Sequence, residues 1–392
     1  MTMLTTNKLS MSSIVPKVTD RGTNLMTNKD RKIEQTYSTS SGLVRRLASL
    51  NVSFAFSSYQ SNTLYLVGRN KNNGINVHQA MVQRPMGLHV QKSGDRVDMA
   101  GGLTVTAGHQ VIRFENTLQP GQEINHTFDA CLTPRMVHFT GSLDAHDVGV
   151  DDLDRPIFVN TRFNCLAEPG HKYSFEKVWM PSFVSALIDE DRCHLNGLAM
   201  QDGKPKYVTA VSRSNTIDGW RDRRNGGGVI IDVDSDQIVC DGLSMPHSPR
   251  VHNGQLWVLN SGTGELGRVP LKGSDKGRFI PLAFCPGFLR GLSFQGDLAF
   301  VGLSKPRYKR FEGLPLDQRL KDADSEPWCG VQIIDLNTGS CVDWFRIDGD
   351  VAELYDVEVL PGTVCPMAIS PSSNELETLV TYDGMMAGTC ES

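Results

Sequence analysis

Residues 194–211 read HLNGLAMQDGKPKYVTAV and contain the pattern from which the fold is predicted. This stretch opens with polar residues, a glycine and alternating aliphatic residues, and it ends in a second apolar run. The pair Asp202-Gly203 lies between the two runs. Such a pair is typical of a tight β-hairpin, because both turn positions need positive φ. The stretch therefore predicts two antiparallel strands, the first of which begins with polar side chains.

The opening of this hairpin recurs along the chain, as polar residues followed by a small residue or Asp and then an aliphatic residue. Further copies begin at Arg84, His146, His247, Arg290 and Glu353. Three copies are followed by a hairpin turn and a strand, at residues 207–211, 256–260 and 298–302. An earlier hairpin, residues 53–56 and 64–67, has the same layout without the polar opening. Recurrence of one supersecondary unit is the signature of a repeat architecture.

The rest of the chain favours an all-β fold. One short helix is predicted over residues 41–50, with Leu43, Leu47 and Leu50 on one face. The copies are spaced by roughly 30 to 65 residues, and propeller blades repeat at about 40–50 residues plus insertions. Counting the early hairpin gives seven innermost strands. Residues 41–392 therefore predict a single β-propeller of seven blades, with six as the alternative, and residues 1–40 predict a weakly ordered tail.

Composition restricts the partners and the compartment. The net charge is -5, which argues against a nucleic-acid partner. No apolar run approaches the roughly 20 residues that span a membrane, and no secretory signal is visible. The nine cysteines are scattered without a CxxC pair, which is typical of reduced thiols in a cytoplasmic protein. The sequence leaves the oligomeric state open.

Three histidines begin copies of the repeat: His146, His194 and His247. The first strand of each propeller blade lines the central channel, so these side chains are expected to converge at its mouth. Neutral imidazoles from three strands suit a divalent metal such as Fe, Zn or Mn, with Glu353 as a further ligand or a base. The alternative is three unrelated histidines that form hydrogen bonds in a wet channel.

Three arginines occupy repeat positions: Arg84, Arg250 and Arg290. A guanidinium in the channel is a bidentate receptor for a carboxylate, phosphate or sulfate. The alternative is ion pairing between blades, with Asp147, Asp356 or Glu353 as partners. For the two aspartates the repeat favours hydrogen bonds to backbone amides of neighbouring blades, with orientation of a histidine as the alternative.

Other candidates lie in the channel or in inserted loops. Asn196 and Tyr355 are expected to supply hydrogen bonds or a proton in the channel, and Asn260 ends a strand at its mouth. Trp220 and Arg221 lie in a long insertion after residue 211 and have the composition of a lid, with a solvated loop tip as the alternative. Insertions at residues 212–228, 260–265 and 304–328 are predicted to leave from the same face. The face of a further insertion at residues 116–135 is open.

Several motifs resemble one family. They are DRCHLNGLA (191–199), MPHSPR (245–250), LWVLNSGTGEL (256–266), RGL (290–292) and VGLSKPR (301–307). Together, over residues 53–362, they resemble a group of bacterial, often cyanobacterial, proteins of uncharacterised function, which implies no activity. The layout is more distantly similar to gluconolactonase-type and carotenoid-oxygenase-type propellers, which bind an axial metal. The first type uses mainly carboxylate and Asn ligands and the second uses four histidines, and this chain matches neither set.

These observations predict a metal-dependent enzyme that acts on a small anionic metabolite at the channel mouth by hydrolysis, elimination or isomerisation. One alternative is a non-haem iron oxygenase at the same histidines. Another is a propeller that binds a ligand or a protein without catalysis.

Overall fold

The computed structural model describes residues 34–93, 96–307 and 310–382. The strands in chain order are β1 (Gln35–Thr39), β2 (Val52–Ser58), β3 (Thr63–Arg69), β4 (Ile75–Met81), β5 (Pro85–Ser93), β6 (Arg96–Ala107), β7 (Gln110–Asn116), β8 (Ala130–Phe139), β9 (Ala145–Val150), β10 (Pro156–Asn160), β11 (Cys165–Glu168), β12 (Glu176–Trp179), β13 (Leu195–Gln201), β14 (Lys204–Ala210), β15 (Gly228–Asp232), β16 (Gln237–Leu243), β17 (Pro246–His252), β18 (Gln255–Asn260), β19 (Glu265–Val269), β20 (Ile280–Phe284), β21 (Phe288–Gln295), β22 (Leu298–Ser304), β23 (Cys329–Asp335), β24 (Cys341–Gly349), β25 (Val357–Pro361) and β26 (Pro366–Ala368). Helices α1 and α2 span Leu43–Leu50 and Leu316–Asp322, and short 3₁₀ helices span Arg221–Arg223 and Asn374–Glu377.

These strands form six sheets, one for each blade of a propeller. Blade I is β25-β2-β3-β4, and blades III, IV and V are β9 to β12, β13 to β16 and β17 to β20. Blade II is β5 to β8 with β26 added at its outer edge, and blade VI is β21 to β24 with β1 added. The innermost strands β25, β5, β9, β13, β17 and β21 contact one another in this order and close a ring. The all-β propeller predicted from the repeat is confirmed.

The predicted count of seven blades is wrong, and six, the alternative, is observed. β25 pairs with β2, and Phe54 lies opposite Val359 in this register. The early hairpin therefore supplies the second and third strands of blade I, while the last copy of the repeat supplies the first. Counting the two as separate blades gives seven, whereas they form a single blade that closes the ring.

The amino-terminal part of the described chain packs on the closing blades. β1 pairs with the outer strand of blade VI, with Tyr37 opposite Ile347. The predicted short helix is confirmed as α1, whose Leu43 and Leu47 are fully buried. Of the tail predicted over residues 1–40, residues 1–33 lie outside the described residues.

The predicted hairpins and thiols are also present. Asp202-Gly203 joins β13 to β14 with φ of 51° and 71°, the turn geometry that the pair predicts. Asn253-Gly254 joins β17 to β18 with φ of 49° and 69°. The eight described cysteines are free thiols, and Cys390 lies outside the described residues. None of the described helices is long and apolar enough to cross a membrane.

A ring of short residues brings the innermost strands close together. Going round blades II, III, IV, V, VI and I, the residue at this repeat position is Gly87, Asp147, Gly197, Ser248, Gly291 and Asp356. A Cβ on Gly87 would lie 2.7 Å from Cα of Asp147, so a larger residue there would push the blades apart. The polar residues accept backbone N–H groups of the next blade: Asp147 from Leu198 at 2.9 Å, Ser248 from Gly291 at 3.0 Å and Asp356 from Leu88 at 2.8 Å. The predicted role of the two aspartates between blades is confirmed.

Two insertions cover one mouth of the channel. The first joins β14 to β15 and contains Trp220, and the second joins β22 to β23 and contains α2. Their side chains pack in one apolar cluster with Val211, Met245 and Phe288. The insertion between β7 and β8 lies at the opposite end, because Asp129 accepts the backbone N–H groups of Val364 and Cys365, which follow the far end of β25.

Candidate functional site

Two rings of side chains surround the covered mouth. The inner ring directly precedes the ring of short residues and consists of Tyr355, Met86, His146, Asn196, His247 and Arg290. The outer ring lies two residues earlier in each copy of the repeat and consists of Glu353, Arg84, Asp144, His194, Met245 and Phe288. The predicted histidines therefore occupy different positions of the repeat, since His194 is in the outer ring and the other two are in the inner ring.

The backbone of the outer ring has a recurrent conformation. Arg84, Asp144, His194 and Met245 have left-handed φ angles of 48°, 53°, 52° and 50°, and each directly precedes an innermost strand. Non-glycine residues rarely adopt this conformation, and it is concentrated at sites where a side chain must be placed for function. The chain thus turns in the same way into four blades before it enters the channel.

The mouth holds a cavity of about 860 Å³, which is a typical size for a small-molecule site. All six outer-ring residues and four of the inner ring line it. Its described lining includes seven cationic side chains: Arg84, Arg221, Arg224, Arg290, Lys305, Arg307 and Arg310. Four acidic side chains oppose them: Asp144, Asp191, Glu312 and Glu353. With the histidines counted as neutral, the cavity has an excess of three positive charges, which favours an anionic occupant.

His146 is held by a bonding pattern that fixes its tautomer. Its Nδ1 lies 2.8 Å from the carbonyl oxygen of Asp144 and 2.8 Å from the hydroxyl of Thr161. The Thr161 hydroxyl donates its own hydrogen to the carbonyl of Leu195 at 2.6 Å, so its oxygen is left to accept. These partners assign the imidazole hydrogen to Nδ1, and Nε2 therefore carries the lone pair.

The same pattern recurs two blades away at His247. Its Nδ1 lies 2.8 Å from the carbonyl oxygen of Met245 and 3.1 Å from the hydroxyl of Ser261. Ser261 donates to the carbonyl of Leu289 at 2.6 Å. His247 is fully packed, with its ring edge against Phe288, and its buried Nε2 has no hydrogen-bond partner among the described residues.

His194 is fixed from two sides. Its Nδ1 donates to the carboxylate of Asp191 at 2.7 Å, and its ring stacks on Trp220 at 4.1 Å. The guanidinium of Arg221 also lies over the Trp220 ring, at 4.5 Å. Trp220 therefore holds His194 and Arg221 in place with its ring faces, which leaves it a supporting role at the cavity wall.

The rings of His146 and His194 meet edge to face, with centroids 4.9 Å apart. Burial lowers the pKa of His146 to about 4, although the neighbouring Asp144 carboxylate opposes this shift. Burial also lowers the pKa of His247 well below its ordinary value. His146 is therefore neutral at neutral pH and offers an acceptor nitrogen in a cavity that attracts anions.

Glu353 lies at the centre of a cationic network. Its carboxylate accepts from Arg307 at 2.8 and 3.0 Å, from Arg290 at 3.3 Å and from the hydroxyl of Tyr59. Both oxygens are engaged, so this carboxylate holds two arginines at the mouth. Arg307 also donates to the Tyr59 hydroxyl at 2.5 Å.

Arg290 and Tyr355 join this network to the histidines. The Arg290 guanidinium lies 5.0 Å from the ring of Phe288 and 5.1 Å from the ring of Tyr355. The Tyr355 ring meets His146 edge to face at 5.7 Å. The buried Tyr355 hydroxyl has no hydrogen-bond partner among the described residues, and burial raises its pKa well above the ordinary value. This hydroxyl therefore stays protonated and available as a donor.

Four predicted site residues lie outside the cavity lining, namely Arg250, Asn196, Asn260 and His247. Arg250 lies deeper in the channel, 2.9 Å from Asp147 and 3.7 Å from Asp356, which is the ion pairing between blades that the sequence left as its alternative. Asn196 accepts a hydrogen bond from Thr209 at 2.6 Å. Asn260 accepts the backbone N–H of Ser244 at 2.7 Å.

The three histidines do not meet at one point. His146 and His194 line the cavity and touch, whereas His247 is packed beneath Phe288 and is absent from the lining. Within the described part of the chain, no group of three or more His, Cys, Asp or Glu side chains is arranged to hold a metal ion. The tautomer of His146 suits a ligand, but the described side chains do not complete a ligand set. The divalent metal stays a prediction from the sequence.

The structure adds cavity residues that the sequence did not single out, notably Tyr59, Asp144, Asp191 and Arg307. Asp191 stands three residues before His194 in DRCHLNGLA, and Arg307 ends VGLSKPR, so both were visible inside the quoted motifs. Tyr59 lies in the turn of the early hairpin, between β2 and β3, where the polar opening is missing and no sequence signal indicates a site residue.

One family model matches most of the chain. The model of a domain of unknown function, DUF4915, matches residues 41–369. The chain belongs to the DUF4915 family. This match includes all the motifs of the resemblance found from the sequence, and comparison of this DUF4915 protein with the curated proteins gives no match.

Several solved structures are similar to this DUF4915 chain at low identity. A nidogen/laminin complex is 12% identical, with 79% of this chain and 99% of that chain covered and a TM-score of 0.49. A gluconolactonase from Xanthomonas campestris is 10% identical, with 76% and 86% covered and a TM-score of 0.43. A virginiamycin B lyase from Staphylococcus aureus is 11% identical, with 80% and 99% covered and a TM-score of 0.38. At these values the likeness carries no argument about activity.

Proposed function

We propose that this DUF4915 protein is an enzyme that binds a small organic anion at the channel mouth and moves a proton with His146. One observation carries the proposal: the acceptor nitrogen of a neutral histidine lies in the same cavity as an excess of positive charge. Arg290 and His146 flank the Tyr355 ring, so one small molecule can reach both. Elimination or isomerisation is the reaction class that these groups serve best.

In this proposal the cavity residues have separate roles in binding and in proton transfer. Arg290 and Arg84 bind a carboxylate of the substrate, and His146 Nε2 takes the proton from the carbon next to that carboxylate. The electron pair left on carbon delocalises onto the carboxylate, where Arg290 stabilises the added charge and the Tyr355 hydroxyl donates a hydrogen bond. The proton then leaves with a group expelled from the neighbouring carbon, or it returns to the substrate in an isomerisation.

Binding is tested by titrating inorganic phosphate calorimetrically at low ionic strength. Arg84→Met is expected to weaken binding about tenfold, since it removes one charge-assisted contact. Arg84 suits this test because its side chain is 53% exposed and its guanidinium lies as far as 3.8 Å from the carboxylate of Asp144. The fold therefore depends little on this side chain. Arg278→Met, at a side chain that is 77% exposed and outside the cavity, is the matched control.

Proton transfer is tested in D₂O with lactate, malate and mandelate, by following exchange of the hydrogen next to the carboxylate with proton NMR. His146→Asn keeps a donor in the place of Nδ1 and removes Nε2, so it is expected to abolish exchange. Exchange that survives in this variant would contradict the role of His146. Phosphate binding without exchange of any acid would favour the alternative of a propeller that binds without catalysis.

The metal prediction has its own measurement. Elemental analysis of purified protein, before and after dialysis against a chelator, reports whether Fe, Zn or Mn is present in stoichiometric amount. Metal that the unmodified protein retains and His194→Ala loses would make metal-dependent hydrolysis and oxygen chemistry the candidate reactions. We also propose that the protein is cytoplasmic, and the eight free thiols among the described residues support this proposal.

A further inference from the structure

We infer that the ligand of this cavity carries an apolar group of about the size of a phenyl ring beside its anionic group. The inference rests on the proposed anion site and adds the second half of the ligand. Its starting point is an asymmetry in the mouth. The outer ring is polar in blades I to IV, whereas blades V and VI contribute Met245 and Phe288.

The second insertion extends this apolar sector. Phe311 and Leu314 line the cavity next to Phe288, and the rings of Phe288 and Phe311 lie 6.2 Å apart at an interplanar angle of 25°. Met245, Phe288 and Phe311 belong to one packed cluster, although all three also border the cavity. The cavity therefore has one continuous hydrophobic wall.

Helix α2 supports this wall from behind. Leu316 and Leu320 of α2 are buried in the same cluster, and the backbone N–H of Leu316 donates to the carbonyl of Gly262 at 2.9 Å. Arg319 pairs with Glu265 at 2.6 Å and ties the helix to blade V. The wall is preformed, so an apolar ligand group would pack against it without the entropy cost of ordering the loop.

The wall also has a defined place relative to the charged groups. Phe288 lies 5.0 Å from the Arg290 guanidinium, which lies 5.1 Å from the Tyr355 ring, and that ring lies 5.7 Å from His146. Going round the mouth, the order is apolar wall, cation and base. A purely inorganic anion would use the cation and leave the wall in contact with water, whereas an aryl or branched alkyl acid would cover it.

The test compares phenyl phosphate with inorganic phosphate by calorimetry, because the two carry similar charge and differ by the ring. The readout is the ratio of their dissociation constants in each protein. In the unmodified protein, phenyl phosphate is expected to bind about 30-fold more tightly, which corresponds to burial of one aromatic ring. Phe311→Ala is expected to reduce the ratio to about fivefold, and Leu314→Ala repeats the test at a less buried wall residue. Phe139→Ala, 71% exposed and outside the cavity, is the matched control.

Each outcome decides a separate point. Equal affinity for the two phosphates in the unmodified protein would overturn the inference and leave the anion site standing. A large ratio that neither Phe311→Ala nor Leu314→Ala reduces would overturn the placement of the apolar group on this wall. Failure of both phosphates to bind would overturn the proposed function itself, and the inference with it.

Discussion

Replacing His146 by Asn is expected to flatten the dependence of stability on pH. The folded pKa of His146 is about 4, whereas an unfolded histidine titrates near 6.5. As pH falls from about 6.5 to about 4, this histidine becomes protonated in the unfolded chain but stays neutral in the folded protein. The free energy of unfolding therefore decreases over this pH range. The full difference corresponds to about 3 kcal/mol, of which about 2 kcal/mol is lost between pH 7 and pH 5.

The assay is urea unfolding of both proteins at several pH values between about 7.5 and 4.5. Asn retains an amide that can donate to the carbonyl of Asp144, so the comparison isolates the titration from the hydrogen bond. His171→Asn, at an exposed loop position, is the matched control. If unmodified and His146→Asn proteins lose stability in parallel as pH falls, the buried neutral imidazole is refuted. His247 adds a loss of the same sign in both proteins.

Three further substitutions test the channel and its mouth. Arg250→Met leaves the buried carboxylates of Asp147 and Asp356 without their guanidinium and is expected to cost about 3 to 5 kcal/mol in urea unfolding; an unchanged midpoint would contradict the pairing. Glu353→Gln removes the negative charge that holds two cavity arginines, so calorimetry should show tighter phosphate binding together with a lower melting temperature. Gly291→Ala places a Cβ 2.4 Å from a backbone nitrogen of the next blade at φ of 82°, and a loss of more than about 2 kcal/mol of stability is expected from urea unfolding.

The propeller was predictable from the sequence because its signals are local. Asp202-Gly203 specifies its hairpin through the backbone preferences of two neighbouring residues. The glycines of the repeat have a local steric reason, as Gly87 against Asp147 illustrates. The number of blades was not predictable, since one blade is built from strands at opposite ends of the chain.

The site was predictable as a place and only partly as a set of residues. The repeat brought Arg84, His146, His194, Arg290 and Tyr355 to one cavity, as the channel geometry requires. It could not separate the two rings, because a shift of two residues keeps the same side of a strand while it changes the depth in the channel. His247 was therefore grouped with His194 although it lies beneath Phe288.

The hairpins, the repeat and the face on which polar side chains gather follow from local sequence, because each depends on residues close together in the chain. The contacts among these side chains follow from the tertiary fold. Glu353 joins Tyr59 and Arg307, from three separate parts of the chain, and this pairing takes the carboxylate that the sequence offered as a base. Contacts of this kind depend on the closure of the ring of blades, and no local sequence pattern predicts that closure.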